Sequence, residues 1–194
     1  MSSVYAKNLI TPEEVKGQLK QHLQVKLEDR HTQFYVKTTV KSELFQGDIF
    51  RVRKNIKRKL KTDLVLLISN TCDMQPDREK NILVIPLKQL PDPSQVHPSQ
   101  RAKMSSLFDN VTKYENTTYF FLPPVPETEH TMGLPSLFCE FGDMTHVSSQ
   151  DLNQIMKVRP EDRILSLKES GFYILLIKLS VFFLRPDDRF STIS

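Results

Sequence analysis

Seven of the eleven residues from Arg51 to Lys61 are lysine or arginine: Arg51, Arg53, Lys54, Lys57, Arg58, Lys59 and Lys61. Cations at this density bind phosphate, because each one that neutralises a backbone charge releases condensed counterions. The affinity that results is steeply salt-dependent and carries no sequence information of its own. The same density also suits a solvated hairpin loop whose lysines keep a sheet edge from pairing with another chain. A second group, Ser69-Asn70-Thr71-Cys72-Asp73, follows directly on an apolar run. Cys72 near cations suits a low-pKa thiolate nucleophile, with His130 or His146 as base and Asp73 or Asp143 as orienter. The favoured reading is plainer: Asn70, Thr71 and Asp73 form a turn and bond local backbone, and Cys72 is a small buried hydrophobe. Cys72, His130, Cys139 and His146 are zinc-ligand types without the short paired spacings of zinc sites, so no metal and no cofactor is expected. Glu140, Asp143 and Asp151 are magnesium-ligand types that more often cap strands and helix starts.

The elements that must position these groups are legible as periodic runs. Leu64 to Ile68 and Ile82 to Leu87 are apolar, of strand length and separated by a polar segment, which predicts neighbouring buried strands. Gly47-Asp48-Ile49-Phe50-Arg51-Val52 predicts the strand before them, and the basic segment then projects as a loop from the sheet edge. Upstream, Thr11-Pro12-Glu13-Glu14 combines an N-cap, a proline at the first helical position and a capping-box glutamate. Val15, Leu19, Leu23 and Leu27 follow as a narrow apolar stripe, and Phe34, Val36, Thr38 and Val40 then alternate as a strand. Ser99 to Lys113 predicts a short helix, and Thr117 to Leu122 a strand closed by Pro123-Pro124. Leu137 to Phe141 predicts a strand that is interrupted at Gly142-Asp143 and continues through Val147. Ser148-Ser149-Gln150-Asp151 opens a short helix. Ser166-Leu167-Lys168-Glu169 opens the last, running to about Leu184. Apolar residues surround that helix on most sides from Phe172, as in a central buried helix or half of a dimer interface.

One combination of these motifs resembles a known family. Gly47-Asp48-Ile49 opening a strand, a charged segment, a strand ending in Ile68-Ser69-Asn70 and a strand ending in Val84-Ile85-Pro86 resemble the MazF/PemK (CcdB-like) toxins, over about residues 47–88. Those toxins are SH3-like small β-barrels and sequence-specific endoribonucleases. The resemblance implies an SH3-like barrel, and because 194 residues are many for a bare one, the expected fold is α+β with helical additions at the N-terminus, middle and C-terminus. With the periodic runs above, the expectation is a single domain over 1–194: an N-terminal helix in 1–30, the barrel in 33–147 with an inserted helix near 99–113, and C-terminal helices in 148–186. The resemblance further implies a nucleic-acid ligand, RNA above DNA, a place in toxin–antitoxin or phage-defence biology, a protein partner or antitoxin, and a homodimer. In the family an Arg-Pro before the second strand and a Thr after the Val-Ile-Pro strand carry the cleavage. Here those positions hold Asp63-Leu64 and Lys88. Any endoribonuclease activity would then fall to Arg58, as the cation facing the phosphorane, and to Lys88, as base for the 2′-hydroxyl. Lys88 would need a depressed pKa for that role, so a binding groove without cleavage is the favoured reading. The alternative of another class is a protein-interaction module whose first and last helices bury their apolar faces against a second subunit.

Composition bounds the rest. At 194 residues with 39% apolar content and a formal net charge of +4, the chain suits a single domain with one core. Two cysteines far apart, at 72 and 139, are the usage of a reduced cytoplasmic protein. The start Met-Ser-Ser-Val-Tyr lacks a signal-peptide pattern. The most apolar window, Phe172 to Leu184, is interrupted by Lys178 and falls short of the roughly 20 residues a bilayer span needs, so no membrane partner is expected.

Overall fold

A computed structural model describes residues 34–36, 43–52, 54–71, 74, 80–112, 116–127 and 133–183. The expected helix through Leu27 and the strand positions Thr38 and Val40 lie outside these residues.

The fold is α+β: among the described residues eight strands form a curled antiparallel half-barrel, with helices against it. In chain order the strands are β1 (Tyr35–Val36), β2 (Asp48–Arg51), β3 (Leu64–Leu67), β4 (Asn81–Gln89), β5 (Tyr119–Leu122), β6 (Leu137–Glu140), β7 (Thr145–Ser148) and β8 (Arg163–Leu167). The helices are α1 (Lys54–Leu60), α2 (Pro98–Thr112), α3 (Ser149–Val158) and α4 (Glu169–Phe183). Across the sheet the order is β1-β8-β2-β3-β4-β6-β5, and β7 also pairs with β4. The long strand β4 organises the rest. β3 lies along one edge, and the other edge is shared by β7, opposite Asn81 to Val84, and β6, opposite Lys88 and Gln89. A single turn of 3-10 helix, Phe141–Asp143, joins β6 to β7 and supplies the expected interruption at that place.

The apolar runs of β3 and β4 are continuous because both faces of the sheet are covered. Alternate residues point to two cores. Ile49, Leu66, Ile85 and Leu87 face one with Phe120, Phe138, Leu175 and Leu179. Phe50, Val65, Leu67, Ile82 and Val84 face the other with Leu152 and Met156 of α3 and Ile56 of α1. The curl brings the opposite sheet edges together, where the buried Tyr35 phenol of β1 donates to the Pro123 carbonyl just after β5, at 2.8 Å.

Two expectations are corrected here. The basic segment is not a projecting loop: residues 54–60 form α1, because Ile56 and Leu60, four residues apart, both pack on the second core. Ser166 does not open the last helix but lies in β8, and the helix starts at Glu169. Tertiary pairing overrides the capping pattern, since Ser166 pairs with Asp48 on β2 and Val36 on β1, and its hydroxyl donates to the Asp48 carboxylate. A bulge in β8, between the partners of Ile49 and Phe50, lets Arg163 reach the same carboxylate, at 3.1 Å. Burial is the largest influence on Asp48 and raises its carboxyl, against Ser166, the Phe45 amide and Arg163, which all lower it. In α4, Gly171 lies close to the chain beside it: a Cβ there would sit 3.0 Å from the Phe34 carbonyl oxygen, so a larger residue would push Phe34 back by a few tenths of an ångström.

Candidate nucleic-acid interface

The candidate site is the groove between the end of α1 and the end of β4. Helix α1 stops at Lys61, which has φ of 54° and donates its N–H to the Lys57 carbonyl at 2.8 Å. This is a left-handed helix cap of the kind glycine usually fills. Lys61 is the only non-glycine residue with positive φ among those described. Thr62 then anchors the chain to β4, its hydroxyl donating to the Leu87 carbonyl at 2.6 Å. These contacts fix Lys59, Lys61 and Thr62 as one wall of a groove of about 620 Å³, with Lys88, Gln89 and Asp143 among the other lining residues.

The cations of the basic segment are not equivalent. Lys57, Arg58, Lys59 and Lys61 are exposed, and Arg51, closing β2, is half-buried. Lys57 pairs with Asp63 at 2.6 Å, and Lys59 donates to the His146 carbonyl at 3.1 Å, tying α1 to β7. Among the described cations of this segment, Lys59 and Lys61 line the groove and Arg58 does not. Arg53 and the Lys54 side chain lie outside the described residues.

Lys88 is held by two carboxylates. Its ammonium lies 2.6 Å from Asp143 and 3.9 Å from Glu140. The Asp143 hydrogen bond raises its pKa above the ordinary lysine value, the opposite of what a base for a 2′-hydroxyl requires. This argues against the expected role of Lys88 as base, because the carboxylates beside it stabilise its charged form. What the groove offers is positive charge fixed on one wall and an ion-paired cluster on the other.

The second expected group divides. Cys72, Asp73 and His130 lie outside the described residues. The described hydroxyls here do not bond local backbone as turn formers would: Ser69 accepts the Leu83 N–H at 2.8 Å, 14 positions away, and Thr71 the Gln46 N–H at 3.1 Å, 25 positions away, so both tie separate segments together. Cys139 is in the first core, where burial pushes its thiol up to about 12, whereas His146 is exposed, so the two do not share a metal site. Among the described residues no group of three or more His, Cys, Asp or Glu is placed to hold a metal ion. Asp151 lies in the first turn of α3, where a carboxylate complements the helix dipole.

Sequence reasoning missed two features. The Asp143–Lys88 pair spans 55 positions and shows no local pattern. Lys178, read only as an interruption of an apolar helix, is fully buried. Among the described residues no helix is long and apolar enough to cross a membrane. Compared with protein-family models, with curated proteins and with solved structures, the chain matches none.

Proposed function

We propose that this chain is a MazF/PemK-like, cytoplasmic nucleic-acid-binding protein that seats a single-stranded phosphate backbone, RNA above DNA, against Lys59 and Lys61. The observation that carries this reading is the groove itself. Two lysines of the densest basic segment line it, and one of them, Lys61, holds a left-handed backbone conformation that costs a non-glycine residue about 1 kcal/mol or more. Strain of this kind gathers at functional sites. Exposed Lys57 and Arg58 extend the positive surface beyond the groove. The reading is binding without cleavage: Lys88 is stabilised as a cation and Asp63-Leu64 stands where the toxins carry Arg-Pro. A toxin-derived or phage-defence role follows from the sequence resemblance alone.

The test is a gel shift with product sizing, using purified full chain and mixed-sequence single-stranded RNA at low and high salt. The expected result is a shift that weakens steeply with salt while the RNA stays intact. Replacing Lys59 and Lys61 together by Glu should abolish the shift, whereas replacing both by Gln, which removes two phosphate contacts without adding negative charge, should leave weaker binding with a salt slope flatter by about 1.4 for a single strand. Discrete fragments lost in Arg58→Ala would restore a nuclease. The absence of a shift at either salt would favour the second reading, an interaction module that homodimerises or docks a partner through α4, where Tyr173 and Phe183 are 55% and 65% exposed.

A further inference from the structure

Lys59 and Lys61 are not the only ammonium groups in the groove: Lys88 lines it too, and Asp143 is the carboxylate beside it. The Thr62 hydroxyl, bonded to the Leu87 carbonyl, ties the first two lysines to the residue just before Lys88. Lys88 has three donors, and Asp143 Oδ2, at 2.6 Å, takes one. Glu140, at 3.9 Å, is beyond hydrogen-bond reach and does not line the groove. The Lys88 and Asp143 side chains are 47% and 40% exposed. A pair this exposed is favoured over the separated, hydrated charges by about fivefold at most. Its two members differ in freedom. Asp143 ends the 3-10 turn between β6 and β7, a turn anchored by Phe141, which is fully buried against Phe182 of α4. Lys88 is fixed at its backbone, where it pairs with Phe138, but its ammonium swings on a flexible four-carbon stem.

A strand seated on Lys59 and Lys61 carries further phosphates beside those it has placed there. These stand at high effective concentration next to Lys88, so the weak internal pair meets a strong competitor. Resting on the groove reading above, the geometry points to Lys88 as a third phosphate contact held in reserve by Asp143: a backbone phosphate of single-stranded RNA takes the place of the carboxylate at the ammonium. Empty, the groove keeps Lys88 paired; occupied, it commits three lysines. Asp143 therefore limits affinity, because every bound strand must first displace it.

The experiment measures fluorescence anisotropy of the full chain with mixed-sequence single-stranded RNA across a range of salt concentrations. Asp143→Asn, near-isosteric at an exposed site, should bind severalfold more tightly than the wild type. Loss of repulsion alone would produce the same gain, so a second substitution in the same background decides between them. Adding Lys88→Gln to Asp143→Asn should cancel the gain and flatten the salt slope by about 0.7, the share of one phosphate contact on a single strand. Adding Lys103→Gln instead, which removes an exposed charge on α2 outside the groove lining, should preserve the gain. The inference is overturned if Asp143→Asn binds no more tightly than the wild type, if the gain survives Lys88→Gln, or if Lys103→Gln removes it equally; in each case the phosphate groove still stands. Failure of every form to bind RNA at low salt removes the groove reading, and the reserve role of Lys88 with it.

Discussion

Lys178 is the residue whose chemistry departs most from its type. It is fully buried in α4, and burial lowers its pKa from 10.5 to about 7, against the opposing influence of Cys139. A lysine with a depressed folded pKa weakens the folded state. Between about 7 and 10.5 the unfolded chain binds a proton that the folded chain has released, so stability rises with pH across this window and falls as pH drops through it. Below about 7 both states are protonated and the penalty is constant. Lys178→Met should therefore lose this part of the pH dependence and be more stable near neutrality, by about 1–4 kcal/mol, as in replacements of buried charge by well-packed apolar residues. Urea unfolding of both proteins at several pH values checks this; parallel curves would show that Lys178 keeps its ordinary pKa. The sequence placed Lys178 in a helix apolar on most sides but did not decide its burial, because a lysine amid apolar residues reads equally as the solvated side of a helix.

At the scale of elements, α1 joins fold to proposed function. Its inward residues, Ile56 and Leu60, pack on the second core, and the chain leaves it through the strained Lys61 toward the Thr62 anchor on β4. Lys61→Gly relieves the left-handed strain but adds backbone entropy to the unfolded chain. Stability should accordingly remain the same or rise by up to about 1 kcal/mol. RNA affinity should fall severalfold with the loss of one phosphate contact. Thermal unfolding and anisotropy on the same preparation separate the two effects. A variant less stable than the wild type would mean that the Lys61 side chain supports the fold. The density of charge was legible without coordinates, and so was the four-residue spacing of Ile56 and Leu60; the seven cations around them concealed the helix, since seven residues are too few for intrinsic propensity to decide.

At the scale of the whole molecule, the half-barrel depends on contacts between remote segments. Tyr35 and Pro123 bridge the two edges of the sheet through a buried hydrogen bond between residues 88 positions apart. Tyr35→Phe removes the donor and leaves a buried carbonyl without it, which should cost about 1–3 kcal/mol in urea unfolding. A change near zero would place the closure of the curl in the apolar packing of Phe34, Tyr35 and Phe121 instead. The sequence by itself determined the strands β2 to β7, the helices α2 and α3, and the corner at Gly142-Asp143, because periodicity and turn chemistry are local and each core-facing strand repeats its own pattern. It also marked the basic segment and Lys88, though not their relation. Only the tertiary structure decided that Ser166 belongs to a strand, that Lys178 is buried, and that Lys61, Lys88 and Asp143 line one groove. The physical reason is the same in each case: a side chain's partner across a sheet, or its distance from water, is fixed by chain segments far away, and neither leaves a trace in the residues beside it.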